Sequence, residues 1–262
     1  MQKISTAEQK KHQQAKEILK KDILTFEEKV FVYENYNEGA ENLNGLVGAF
    51  FTPMELANDF KLEVQGNKIV DLCAGIGILA FNFLHGYNHA EQPEITCIEI
   101  NPTYVEIGKK LLPEATWICG DLMDSDLLGS LDYFDCAIGN PPFGNIKCNS
   151  NHYLKYQGKN FEYKIIEIGS YIAKSGAFIV PQESAPFAYS GRPIYEVKKS
   201  SKYIAFESAI QLELEAGTPV DTSIAKGRWK GTNPDVEIVI FMNDYRPNNP
   251  FKNIGHQTQL FA

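Results

Sequence analysis

The stretch "AIGNPPFGN", Ala137 to Asn145, follows the run "LDYFDC" and places an asparagine, two prolines and a phenylalanine where an apolar strand ends. Prolines lack a backbone donor and fix φ, so Pro141 and Pro142 lie outside the strand and hold the chain rigidly. The Asn140 side-chain oxygen and the Pro141 carbonyl are then neighbouring acceptors, suited to the two hydrogens of a planar nitrogen whose lone pair is delocalised. Phe143 offers a face on which a planar group stacks. Three acids complete the set: Asp71 in "DLCAGIG", Glu99 in "CIEINP" and Asp121 in "CGDLMD". Each ends an apolar run. Gly75 and Gly77 let the backbone turn and approach a ligand closely. A carboxylate in the place of Glu99 accepts both hydrogen bonds of a ribose diol, and Asp121 is placed to accept from an exocyclic amine.

The elements that position these residues alternate. "KIVDLCAGIGILAFNFL" reads as strand, glycine turn and helix, "EITCIEINPTYVEIGKKLL" as strand and helix, and "ATWICGDLMD" and "YFDCAIGNPPF" as two further strands. "FEYKIIEIGSYIAKSGAFIVPQES" reads as helix, glycine turn and strand, with "SKYIAFESAIQL" and "PDVEIVIFMND" as closing strands. Alternation at this spacing predicts an α/β fold with a doubly wound, mostly parallel sheet. Ahead of it, "STAE" and "TFEE" each fit a capping box and predict an N-terminal helical segment over 1–45.

The chain has 262 residues, 44% of them hydrophobic and 22% charged, which suits one large globular α/β domain. The five cysteines (Cys73, Cys97, Cys119, Cys136, Cys148) are dispersed without a C-x-x-C pair, so buried reduced thiols are expected and no metal site. No apolar run is long enough to span a membrane, and the Lys- and Gln-rich start is no secretory signal, so a cytoplasmic protein is expected. A net charge of −8 argues against blanket coating of nucleic acid but is compatible with a local basic face.

"DLCAGIGIL", "IEINP", "CGDLMD" and "IGNPPF" together resemble class I S-adenosylmethionine-dependent methyltransferases in order and spacing, over about residues 68–145. The resemblance implies a Rossmann-like methyltransferase fold with a seven-stranded sheet and S-adenosylmethionine as cofactor. Carried over by position, Asp71, Ala74, Gly75 and Gly77 line the methionine and ribose side, Glu99 binds the ribose, and Ile100 packs on the adenine. Asp121 and Leu122 read the adenine edge, while Asn140, Pro141, Pro142 and Phe143 form the catalytic stretch, Asn140 also facing the cofactor. "GAFFTP" resembles an element of the γ-ordered DNA adenine-N6 methyltransferases, which include type I modification subunits. It implies that Phe50, Phe51, Thr52 and Pro53 close over the methionine end of the cofactor.

The resulting expectation is methyl transfer to N6 of a flipped adenine in DNA. RNA adenine, the glutamine amide of a protein, and a non-catalytic adaptor are the alternatives. The catalytic domain is expected over 46–245, with DNA-contacting insertions near 145–160 and 184–232. The segment after "IVPQES" is short for a separate recognition domain, so readout falls to those insertions, to a partner, or is lax. In the second insertion Arg192, Lys198, Lys199, Lys202, Lys226, Arg228 and Lys230 are interleaved with aromatics, and Trp229 in "KGRWKG" is expected outside the core, together a phosphate-contacting surface. A flexible tail, 246–262, ends in "QTQLFA"; Gln257, Leu260 and Phe261 match the peptides that dock on the bacterial sliding clamp, which would be a partner.

Overall fold

The structure, a computed structural model, describes residues 5–37, 50–87, 89–149, 152–230, 232–245 and 248–252. The clamp-type residues Gln257, Leu260 and Phe261, and the Gly48 and Ala49 of "GAFFTP", lie outside them.

Both capping boxes form. In α1 (Thr6–Ile18) Ser5 Oγ accepts from the Glu8 amide at 3.2 Å and Glu8 accepts from the Ser5 amide at 2.8 Å. Thr25 and Glu28 do the same at the start of α2 (Phe26–Asn35). The helices that follow are α3 (Met54–Phe60), α4 (Ile78–His85), α5 (Pro102–Leu111), α6 (Ser125–Ser130), α7 (Phe161–Ile172) and α8 (Ser201–Ile210). The strands are β1 (Lys68–Leu72), β2 (Glu94–Glu99), β3 (Thr116–Cys119), β4 (Phe134–Gly139), β5 (Ala173–Pro181), β6 (Phe187–Ala188), β7 (Glu196–Val197), β8 (Glu215–Ala216) and β9 (Val236–Met242).

Seven strands form one sheet in the order β3-β2-β1-β4-β5-β9-β8, and β6 and β7 make a separate small hairpin. β1 to β5 run parallel, whereas β9 is antiparallel to both β5 and β8. Side chains alternate across the sheet, so each face has its own core. Ile69, Ile95, Cys97, Ile138 and Ile179 join the cluster that holds Val32, Leu56, Phe81 and Tyr104 from α2, α3, α4 and α5. Val70, Leu72, Ile98, Ala137 and Phe178 join Leu128, Ile165 and Phe206 from α6, α7 and α8. The N-terminal helices thus share the core of the sheet.

Three expectations fail. "SKYIAFESAIQL" is not a strand but α8, capped by Ser200, whose hydroxyl accepts from the Tyr203 amide at 3.3 Å. Its buried side chains, Tyr203 and Phe206, are three residues apart and pack near Tyr163, while Ile204 is 48% exposed, a helical and not a strand spacing. The edge place goes instead to the two residues of β8. α7 also runs straight into β5 without a glycine turn: Gly169 lies within the helix and Gly176 within the strand. Cys119, expected to be buried, is exposed at the end of the edge strand β3.

The segment between β5 and the hairpin is folded back by a buried acid. Glu237 of β9 is 1% exposed and accepts from Gln182 Nε2, the Tyr189 and Ser190 amides and Ser190 Oγ, at 2.7–2.9 Å. Glu237→Ala would leave these donors buried without partners. We expect a loss of about 3 kcal/mol in urea unfolding, and a smaller loss for Glu237→Gln, which keeps one acceptor.

Candidate active site

β1 lies between β2 and β4 at the point where strand order reverses, so a crevice opens beyond the carboxyl ends of these strands. The chain leaving β1 turns sharply there. Cys73 takes φ 63°, Gly75 φ 58° and Gly77 φ 90°, and only the glycines adopt such values without strain. The Gly75 amide donates to Glu99 Oε2 at 2.8 Å, and the Asn101 amide donates to Oε1 at 2.8 Å. Glu99 at the end of β2 thereby fixes the glycine turn while each oxygen keeps a further lone pair. Burial raises its pKa above the ordinary carboxylate value.

Asp71, by alternation, points to the face of the sheet that carries α2 and α4. It is 1% exposed, and neither carboxyl oxygen makes a hydrogen bond of good geometry. The Ala80 amide in the first turn of α4 interacts with the carboxyl and offsets part of the cost of burial. Burial drives its pKa up to about 8, and the neighbouring Glu99 adds to the shift. Among the described residues no lysine or arginine pairs with Asp71 or Glu99. Tyr33 of α2, which no sequence motif singles out, brings a second unpartnered group to this face. Its hydroxyl is buried, 3.8 Å from where a Cβ on Gly77 would stand.

The element Phe50–Pro53 closes over the turn. A Cβ on Gly75 would stand 2.9 Å from the Phe51 ring, which also packs edge-on to Tyr104 at 5.0 Å. Pro53 ends the element as the N-terminal boundary of α3. Asn140, just beyond β4, is tied to the same element. Its amide nitrogen donates to the Phe50 carbonyl at 2.9 Å and to Thr52 Oγ1 at 3.0 Å. With both amide hydrogens used, the orientation of the carboxamide is settled, and Asn140 Oδ1 is left buried with no partner. Pro141 and Pro142 are buried, and Phe143 is half-buried against the core.

The rim of the crevice is more open. Ile100 is 50% exposed beyond β2, Ala74 and Leu122 are buried, and Asp121 Oδ1 accepts from the Met123 amide at 2.9 Å. Asp121 Oδ2 receives a longer bond, 3.4 Å, from Asn149 in the 145–160 insertion.

The residues read as a phosphate-contacting surface are placed differently. Trp229 is 6% exposed and belongs to the core, against the expectation that it lies outside. The reason is Lys230, whose ammonium donates to the Tyr33 and Tyr36 carbonyls at 3.0 and 2.7 Å and draws the segment onto the carboxyl end of α2. Arg228 faces Glu55 at 3.6 Å, Lys226 Asp235 at 2.6 Å and Lys202 Glu183 at 2.9 Å. Lys199 bonds Glu207 and Glu213. Of the seven cations, only Arg192 and Lys198 are exposed without an ion pair or side-chain hydrogen bond among the described residues.

Residues 54–155 match the family model of the methyltransferase small domain, somewhat less than half of the chain. No curated protein matches. A solved methyltransferase subunit of a type I restriction-modification system from Streptococcus thermophilus is similar at 15% identity, covering 82% of this chain and 49% of its own, with a TM-score of 0.56. A Vibrio vulnificus protein assigned as the modification subunit of a type I restriction enzyme is similar at 14% identity, with 83% and 49% covered and a TM-score of 0.52. A Listeria monocytogenes protein assigned as a class I S-adenosylmethionine-dependent methyltransferase has 12% identity, 87% and 72% covered, and a TM-score of 0.57. The chain thus spans about half the length of the two restriction-modification subunits. At these identities the solved structures bear on the fold, which is the Rossmann-like methyltransferase fold.

The cofactor of this fold is S-adenosylmethionine, and the residues present fit it. Two buried carboxyls without a cation suit a ligand that brings positive charge and hydroxyl donors. Asp71 would face the charged methionine end and Glu99 the ribose, with Ile100 an apolar surface for the adenine.

The Asp71 shift has a measurable consequence. From about pH 4 to pH 8 the folded, cofactor-free protein holds a proton that the unfolded chain has lost, so this group makes stability fall as pH rises. Asp71→Asn removes that slope. The variant should gain on the wild type between pH 5 and pH 8 by up to about 1.4 kcal/mol per pH unit in urea unfolding, while binding S-adenosylmethionine more weakly. A stability difference that is the same at both pH values would refute the assignment.

Proposed function

We propose that this S-adenosylmethionine-dependent methyltransferase methylates the exocyclic N6 of adenine in DNA, with the target base turned out of the duplex. The observation that carries the reading is the Asn140 carboxamide, with its two hydrogens spent on Phe50 and Thr52 and its oxygen buried and unpartnered. Leaving such an acceptor buried costs about 1–3 kcal/mol, a cost recovered when a donor arrives. An adenine N6 amine supplies one. S-adenosylmethionine supplies the electrophilic methyl group.

Asn140 Oδ1 accepts one N6 hydrogen and the Pro141 carbonyl the other. Holding both hydrogens favours a pyramidal nitrogen and directs its lone pair out of the ring plane, so no strong base is needed before attack. As the new C–N bond forms the sulfonium C–S bond would break, leaving a neutral thioether, and the surplus N6 proton would pass to solvent afterwards. The prolines keep the two acceptors rigid, and Phe143 stacks on the base, so positioning supplies most of the rate. Because Asn140 is bonded to Phe50 and Thr52, the acceptor is aimed only when that element is closed.

Two features favour DNA over the other acceptors. The element Phe50–Pro53 resembles that of the γ-ordered DNA adenine enzymes, and two of the similar solved structures are subunits of type I restriction-modification systems. The exposed pair Arg192 and Lys198, beside the β6–β7 hairpin, is the part of the basic set that remains open to phosphates.

Labelled methyl transfer from S-adenosylmethionine to DNA, RNA and protein, followed by nucleoside and amino-acid analysis, tests the proposal. N6-methyladenine in DNA is expected; label confined to RNA or to glutamine would redirect it. Asn140→Ala should lower kcat by about a thousandfold or more. Its effect on S-adenosylmethionine affinity should stay within about tenfold, the worth of the lost bonds to Phe50 and Thr52.

A further inference from the structure

Phe143 lies outside helix and strand, with the two prolines before it; on its other side the chain is held at Gly144, which takes φ 82°. The Gly144 amide donates to Glu162 Oε2 at 2.9 Å, and the Gly144 carbonyl accepts from the Phe161 amide at 2.9 Å. Asn145 and Asn160 pair as an isolated bridge beside it, so the 145–160 insertion leaves and returns through one neck directly behind Phe143.

Glu162 closes that neck from within. It lies in the first turn of α7 and is 0% exposed. Its other oxygen, Oε1, accepts from Asn160 Nδ2 at 3.0 Å and from Ser184 Oγ at 2.8 Å. Ser184, also 0% exposed, belongs to the segment after β5 that leads into the β6–β7 hairpin, and its carbonyl accepts from Tyr163 Oη at 2.8 Å. One buried carboxyl thus joins the exit of the Asn-Pro-Pro-Phe stretch, the neck of one insertion and the root of the other. An acid in the first turn suits the N-terminus of α7, but the oxygens of Glu162 are spent on Gly144, Asn160 and Ser184, all outside that helix.

We propose that Glu162 is a positioning residue for methyl transfer: it sets the place of Phe143 through Gly144 and keeps the acceptor-binding insertions in register with it. This rests on the methyl-transfer reading of the Asn140–Phe143 stretch, not on DNA being the acceptor. Glu162 acts through Gly144, Asn160 and Ser184, on which its oxygens are spent, so its effect is expected on turnover and not on cofactor binding.

The test uses the full chain and whichever acceptor the wild type methylates, so a change of substrate leaves it intact. Glu162→Ala removes all three acceptor contacts, and Glu162→Gln leaves one oxygen for three donors. We expect kcat to fall about a hundredfold in the first and about tenfold in the second, the scale of a small misplacement of a reacting group. The Kd for S-adenosylmethionine should stay within about twofold in both. In a Phe143→Ala background Glu162→Gln should cost less than about twofold, because the ring it positions is gone. Wild-type kcat in Glu162→Gln, or the same loss in both backgrounds, overturns the proposal. Amide hydrogen exchange reads the contact without turnover. Exchange at Gly144 should quicken about tenfold or more in either variant while the central amides of α7 stay protected, and unchanged exchange at Gly144 overturns the proposal equally.

Discussion

The hydrogen bonds from Asn140 to the Phe50 carbonyl and to Thr52 Oγ1 link residues some ninety positions apart in the chain. They join the end of β4, which on the proposed function would hold the acceptor nitrogen, to the element that closes over the glycine turn, which would hold the cofactor. On that proposal, binding of the methyl donor and aiming of the acceptor oxygen are one structural event. The turn beneath must then stay small, which is why Gly75 sits where a Cβ would meet Phe51. The support behind must be stiff, which explains the two prolines after Asn140 and the buried carboxyl of Glu162 after Phe143.

Electrostatics point the same way. Burying Asp71 and Glu99 without a cation is unfavourable, and burial raises both pKa values. A protein selected for stability alone would have paired or replaced these acids. The crevice is instead left with a deficit of positive charge, which on the proposed function the cofactor would make good.

A basic sequence is not yet a basic surface. "KGRWKG" combines charge, glycine and tryptophan as nucleic-acid-contacting segments do, yet Lys230 caps α2, Arg228 faces Glu55, and Trp229 fills the core beneath them. The segment serves to hold α2 against the face of the sheet that carries Asp71. α8 teaches the same about apolar residues. Tyr203 and Phe206 are buried at a spacing of three, but in so short a run the aromatic and β-branched content looks equally like a strand. The Ser200 cap and the place of Tyr163 against both rings go with the helix.

The sequence alone determined the parts whose information is local. Strand-turn-helix alternation from β1 to β4, the capping boxes of Ser5 and Thr25, the acids at strand ends and the exit of the Asn-Pro-Pro-Phe stretch from its strand each depend on neighbours within a few residues, and each forms as expected. The tertiary structure decided whatever depends on partners far along the chain. It determined which hydrogen-bonding groups Asn140 spends and which it keeps, that Tyr33 of an N-terminal helix reaches the cofactor face, that Glu162 holds the neck behind Phe143, and which cations are already engaged. A side chain's chemistry is written in its type, but whether a group is free to act depends on who else has reached it, and only folding brings those partners together.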